Sequence, residues 1–212
     1  MGNISLEKIS DVYYDVLKEI GNIGAGNAMT ALAQMIQCKV DMRVPCVRLL
    51  EFKDVGTIMG GEEQIMACVL LGVDGEVSGT MMFLIEKTHA KHLVQKIMGQ
   101  SSAVDEDFTE MEQSALMEVG NIITGAYLNA LASFTGMKII SMPPQMTVDM
   151  AGAILSVPAI EFGMLGDKLL LIQTQFFDEI EINGYFLLIP ALDSYVKIIG
   201  SLGLPVDGLI EE

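Results

Sequence analysis

The stretch EIGNIGAGNAMTALA, Glu19 to Ala33, decides the fold, because it returns without a gap as EVGNIITGAYLNALA, Glu118 to Ala132, with 8 of 15 residues identical. The displacement is 99 positions, and polar residues outside the stretch keep it. Asp15, Glu19, Asn22 and Pro45 read D-x3-E-x2-N-x22-P; Ser114, Glu118, Asn121 and Pro144 read S-x3-E-x2-N-x22-P. A duplicated core can be rebuilt from many apolar residues, so it keeps pattern rather than identity. Here the kept identities include an acid and an amide, which a helix core does not use. Two copies of one site are expected.

Working outward, the repeat divides the chain into halves of about 10–99 and 109–208, joined by the short acidic connector Gln100-SSAVDED. Each half opens with a helix. Thr109 and Glu112 form a capping box, and Ser10 holds the matching position in the first half. Apolar residues then recur at helical spacing: Val12, Tyr13, Val16, Ile20 and Ile23 in one copy, Met111, Ala115, Val119, Ile122 and Ala126 in the other. Strand-like runs follow at Val40 to Val44, Met137-KIISM, Gln64-IMACVLLGV, Gly79-TMMFLIE, Ala153-ILSVPAI, Lys168-LLLIQTQFF and Gly184-YFLLIP. The dipeptides Asp74-Gly75 and Asn183-Gly184 favour hairpins and hence antiparallel pairing. Further helices are expected over Lys87–Met98 and Leu192–Leu202, each closed by a glycine, Gly99 and Gly203. The expected fold is α+β, internally duplicated and pseudo-twofold, with two long site-bearing helices on a largely antiparallel sheet. A lone half would leave one face of its sheet bare, so residues 1–212 are expected to form a single domain of two repeats.

At about 100° per residue, Glu19 lies about 40° and Asn22 about −20° from Asp15, one arc of about 60°. Val16, Ile20 and Ile23 fall on the side expected to be buried, and Ser114, Glu118 and Asn121 repeat the geometry against Ala115, Val119 and Ile122. A single E-x-x-N on a helix is nearly always a solvated face. Two in identical register, each followed by a proline 23 positions on, read as a rigid platform presenting an acid and an amide.

Composition narrows the function. A net charge of −16 disfavours nucleic acid, which needs clustered Lys and Arg, and disfavours anionic membrane surfaces. No apolar run approaches the roughly 20 residues that span a bilayer, and MGNISLEK lacks the apolar core of a signal peptide. That start also fails the myristoylation pattern, with Leu6 where Ser or Thr is required. Cys38, Cys46 and Cys68 are odd in number and share no C-x-x-C spacing, as expected of buried thiols in a reducing cytoplasm. The 16 methionines read chiefly as adaptable core. His89 and His92, with Glu86 nearby, are read as a helix face rather than a metal site, since no third ligand pattern joins them. Gly21, Gly24 and Gly26 have the wrong spacing for a nucleotide loop and follow a helix rather than a strand. Gly21 and Gly26 are matched by Gly120 and Gly125, so close approach by another backbone, from a partner or from this chain, is expected there.

The doubled D/S-x3-E-x2-N-x22-P motif resembles that of the CheC/CheX/FliY family of chemotaxis phosphatases, and the resemblance spans nearly the whole chain. Two motifs in a chain of this length, with no further domain after the second, are most similar to the CheC-like members. The resemblance implies hydrolysis of the aspartyl phosphate of a phosphorylated CheY-type response regulator. Glu19 and Glu118 would pair with the regulator's lysine, and Asn22 and Asn121 would hold the attacking water. An amide can both donate and accept there without setting negative charge beside the phosphoryl group. Asp15, Ser114, Pro45 and Pro144 would support the motif. The regulator would supply Mg²⁺, and the chain would need no cofactor or metal of its own. Thr147-VDMAGAILS is similar to the segment through which such proteins engage the receptor deamidase CheD, which makes Asp149 a candidate contact. A monomer is expected, internal symmetry removing one reason to dimerise. The competing reading is a non-catalytic module that docks on a response regulator or on CheD.

Overall fold

The structure, a computed structural model, describes residues 11–36, 41–99, 106–162, 168–177 and 181–203. In chain order these form α1 (Asp11–Ile36), β1 (Asp41–Glu51), α2 (Phe52–Ile58), β2 (Ile65–Gly75), β3 (Gly79–Glu86), α3 (Lys87–Met98), α4 (Glu110–Thr135), β4 (Ile139–Ser141), β5 (Gln145–Met150), α5 (Ala151–Phe162), β6 (Lys168–Phe177), β7 (Glu181–Pro190) and α6 (Leu192–Ser201). The bounds of α1, shifted by 99 positions, fall on those of α4, and both helices have 26 residues. Thr109 and Glu112 make the expected capping box, and α4 ends at Gly136 in the left-handed region, φ 69°. Gly99 closes α3 in the same way. Ser10 lies outside the described residues.

Seven strands form one sheet in the order β1-β6-β7-β3-β2-β4, with β5 also on β2, and the described pairs are antiparallel. If β1 is equated with β4/β5, β2 with β6 and β3 with β7, the order reads the same from either end. Its centre is the β3–β7 pair, where Phe83 stands opposite Phe186 with rings stacked at 4.7 Å. The hairpin at Asp74-Gly75 forms as expected. Gly75 sits at φ 110°, and an added Cβ would lie 2.4 Å from the Lys138 carbonyl.

Both faces of the sheet are covered, so its central strands are apolar on both sides. Ala67, Val69, Leu71 and Phe83 pack under α1, α3 and α4, against Ile20, Leu32, Val94, Leu116 and Ile123. Met66, Cys68 and Leu84 face the other way, against Val55 of α2, Met59 just after it, and Ile154 and Leu155 of α5. Glycines at positions 21, 24 and 26 weaken α1 as an isolated helix, and its packing on α4 and the sheet offsets this.

Three readings of the sequence are corrected. Ala153-ILSVPAI is helix, not strand: Ala151, Ile154, Leu155 and Pro158 are the buried positions, a spacing of three and four. Asn183-Gly184 lies inside β7, with Asn183 opposite Gln175 of β6, so the β6–β7 turn precedes it. Ile23, placed on the buried side by pattern, is 37% exposed, and Met111, one of the apolar residues at helical spacing, is 65% exposed. In addition α2 carried no recognised signal, and the strand expected over Met137–Met142 is confined to Ile139–Ser141.

Candidate functional site

The site rests on α1 and α4, which pack side by side over the centre of the sheet. Gly24 of α1 lets the Tyr127 ring of α4 approach so closely that an added Cβ would lie 2.4 Å from it. Tyr127 in turn tilts onto Phe186 at 5.0 Å, above the stacked Phe83. On α4, Gly120 lies against β2, where a Cβ would meet Val69 at 2.7 Å. Its neighbour Val119 is fully buried. The residues just before Asn121 therefore anchor the helix to the sheet. Gly120 answers the sequence question directly: what approaches it is a side chain of this chain, Val69, not a partner.

The opposite stripe carries the motif. Asp15, Glu19, Asn22, Ser114 and Glu118 are exposed and Asn121 is half-buried. The two acid–amide pairs thus stand on ordered helices at identical register, outside the core, as the helical spacing requires. Ser114 Oγ donates to the Glu110 carbonyl at 2.8 Å, folding back on its own helix. That bond gives it a local role rather than one reaching outward.

The two prolines occupy equivalent irregularities in the sheet. Opposite β6, Val44 and Pro45 stand against Thr174 alone, so β1 carries a bulge between Arg43 and Cys46. On the other edge Met142, Pro143 and Pro144 stand against Leu71 and Gly72 of β2, again one residue in excess. A residue without an N–H suits an edge strand where the ladder is interrupted.

Support for α4 extends to a buried ion pair absent from the sequence reading. Lys91 of α3 donates to Glu112 Oε2 at 2.9 Å and to the Asp107 carbonyl at 2.8 Å, with its ammonium 4.8 Å from the Phe108 ring centre. The same Glu112 oxygen accepts the Thr109 N–H at 2.8 Å. The carboxylate that caps α4 is therefore also locked to α3. Glu112 was legible as a cap, whereas Lys91 carried no signal because its partner lies on another helix.

Asp149 lies elsewhere. Opposite Met66 on β2, it shares the α2/α5 face of the sheet, away from the motif helices. Its carboxylate accepts the Met150 N–H at 2.8 Å, and it borders an apolar cavity of about 300 Å³ lined by Cys68, Leu70, Met82, Ile154 and Val157. Burial pushes the Cys68 thiol up to about 12, so it stays protonated. His89 Nδ1 is 3.6 Å from the Glu86 carboxylate and His92 is exposed. Among the described residues no cluster of three His, Cys, Asp or Glu is placed to hold a metal, and no helix is long and apolar enough to cross a membrane.

Comparison with known proteins agrees with this architecture. Residues 14–48 match the model of the CheC-like family, and residues 67–161 match that of the chemotaxis phosphatase CheX. The chain is 34% identical over 200 residues to the CheY-P phosphatase CheC of Bacillus subtilis (strain 168), covering 92% of this chain and 96% of that protein. In three dimensions it matches Thermotoga maritima FliY with a TM-score of 0.73 at 20% identity, over 92% of this chain and 98% of that one. It also matches a chain of the CheX–CheY–BeF3–Mg²⁺ complex from Borrelia burgdorferi with a TM-score of 0.50 at 20% identity, over 83% and 97%. The two-faced antiparallel sheet with its paired long helices is the fold of this class. The chain belongs to the CheC/CheX/FliY family of chemotaxis phosphatases.

Proposed function

We propose that this chain hydrolyses the aspartyl phosphate of a CheY-type response regulator at two sites, Glu19/Asn22 on α1 and Glu118/Asn121 on α4. The observation that carries the reading is the matched pair of acid–amide stripes, outside the core, on helices whose adjacent face is packed against the sheet. Acyl phosphates are already activated, so the chain needs only to position water and neutralise charge. In this reading each Glu pairs with a lysine of the regulator and fixes its orientation. Each Asn holds a water in line with the phosphorus. The water oxygen bonds to phosphorus as the acyl P–O bond breaks, the regulator's aspartate leaves as carboxylate, and inorganic phosphate is released. Mg²⁺ belongs to the regulator's own site. Asp15 and Ser114 support the helices locally, and Pro45 and Pro144 shape the sheet edges rather than the chemistry. The net charge of −16 favours a partner that presents a basic group beside its reactive centre.

The same reading takes residues 10–99 and 109–208 as two repeats of one domain that acts as a monomer. Asp149 is the candidate contact for the deamidase CheD. Its exposure beside Val157, which is 59% exposed, favours a second docking face remote from the motif helices.

The test is phosphate release from the phosphorylated regulator with Mg²⁺, followed against substrate concentration. Asn22→Ala with Asn121→Ala should remove most of the acceleration at saturating substrate without unfolding the chain, because neither side chain is in the core. Glu19→Gln with Glu118→Gln should chiefly raise KM. If the double Asn variant turns over at the unaltered rate, the amides do not position water. If both double variants lose only binding, these residues dock the regulator and do not carry the hydrolysis.

A further inference from the structure

Gly26 and Gly125 hold the same register in the two helices, eleven residues beyond Asp15 and Ser114. At about 100° per residue each lies about 20° from the first motif residue, in the middle of the stripe between Glu and Asn, and one turn beyond the Asn. Glycine is the poorest helix residue after proline, so one in a helix interior calls for a reason. Gly24 and Gly120 have one within the chain, namely Tyr127 and Val69. Gly26 and Gly125 do not: an added Cβ at either meets nothing within 4 Å among the described residues. The space these glycines keep clear is open among the described residues, on the face that bears both acid–amide pairs. That face is also flanked by exposed apolar groups, Met111 at 65% and Ile23 at 37%.

We infer that Gly26 and Gly125 are contact positions of the two sites, where the backbone of the response regulator approaches the helix too closely for a Cβ. The inference rests on the proposed function and deepens it. Glu and Asn meet reactive groups of the partner, and the glycine one turn on sets how near its main chain can lie. Contact over two successive turns fixes both the distance and the tilt of the docked partner, which a single Glu–Lys pair cannot. The glycines touch no reacting atom, so they belong to docking and positioning.

The experiment compares Gly26→Ala with Gly125→Ala together, the same pair changed to Leu, and Gly120→Ala as a packing control. Thermal melts, turnover of the phosphorylated regulator with Mg²⁺, and binding to the beryllofluoride-activated regulator are measured for each. The two Ala changes should raise Tm, since they improve helix propensity and meet no atom of the chain. They should also raise KM and the Kd for the activated regulator at least tenfold, the Leu pair further still, with kcat changed much less. Gly120→Ala should lower Tm. A higher Tm with unchanged Kd and KM would overturn the inference, leaving the glycines without function. A lower Tm for the Ala pair would overturn it as well, since the glycines would then serve the chain's own packing. An unaltered chain that binds the activated regulator without hydrolysing its phosphate would sink the phosphatase reading, while weaker binding by the Ala pair would still uphold the glycine contact. If the unaltered chain does not bind the activated regulator, both ideas fail.

Discussion

Replacing Lys91 with Met should be among the most damaging single changes outside the apolar core. Lys91 and Glu112 side chains are 1% and 6% exposed and 2.9 Å apart, so the substitution leaves a carboxylate in the interior without that counter-charge. Breaking a buried pair from one side costs about 3–5 kcal/mol, against about 0–1 for an exposed pair. For a chain of this size each kcal/mol moves Tm by about 2–4 °C, so Lys91→Met should lower it by roughly 6–20 °C. Glu112→Gln keeps an acceptor for the Thr109 N–H but strands the ammonium, and should fall in the same range. Changing both should recover most of the loss, because a buried pair replaced as a unit is often neutral. Urea unfolding of the two single variants and the double one gives the coupling energy directly. A loss below about 1 kcal/mol for Lys91→Met, or simple additivity in the double variant, would refute the claim that this pair behaves as a desolvated unit.

Two further changes test the interior. Thr124 is fully buried, and its hydroxyl has no hydrogen-bond partner among the described residues. Thr124→Val should therefore stabilise by about 1 kcal/mol in the same urea assay, and a loss instead would mean that the hydroxyl is satisfied in solution. Cys68 tests pH dependence. Its thiol is raised from 9.0 to about 12, so below pH 9 it is neutral whether folded or unfolded and contributes no slope. Above pH 9 the unfolded chain loses the proton that the folded chain keeps, and stability should fall by up to about 1.4 kcal/mol per pH unit until pH 12. Cys68→Ala should flatten that slope, most cleanly between pH 9 and 10, before the raised Tyr185 and Tyr195 phenols join in. An unchanged slope would show that the thiol reaches solvent.

The two long helices were legible in the sequence because their repeated identities are polar and doubled at helical spacing. The capping box at Thr109 fixed the start of α4 for the same reason. Readings failed where two physical causes write the same letters. The segment Ala151–Phe162 is apolar nearly all round, with Val157 and Ile160 exposed at 59% and 77%, so the buried stripe that would show a helical period is masked. Asn183-Gly184 has the composition of a tight turn, yet the β6–β7 register places it two residues inside the strand, where Gln175 Nε2 donates to Asn183 Oδ1 at 3.2 Å. Ile23 counts as core by pattern alone, and its place beside the motif stripe turns it outward. Lys91 was illegible for a different reason: a lysine spaced for a helix surface becomes internal only when a carboxylate from another helix meets it.

Beneath the matched surfaces the two halves differ, and the packing gives the reason. At the 99-residue offset Gly24 corresponds to Ile123, Ala28 to Tyr127, and Tyr13 to Glu112. Near a pseudo-twofold axis, like residues of two identical copies would face each other. Two tyrosines would overfill the space between α1 and α4, and two glycines would leave a void, each with its own cost. Placing Tyr127 of one copy over Gly24 of the other fills that space once. The volume can be divided unequally because the interior requires only its sum. The solvent-facing stripe has no such freedom: an acid, an amide and an open glycine on one helix cannot compensate for their loss on the other if each helix meets its partner separately. The packed positions between the helices have diverged, Gly24 against Ile123 and Ala28 against Tyr127, while the Glu, Asn and open Gly of the motif stripe stand in both helices, as two sites that each meet a partner require.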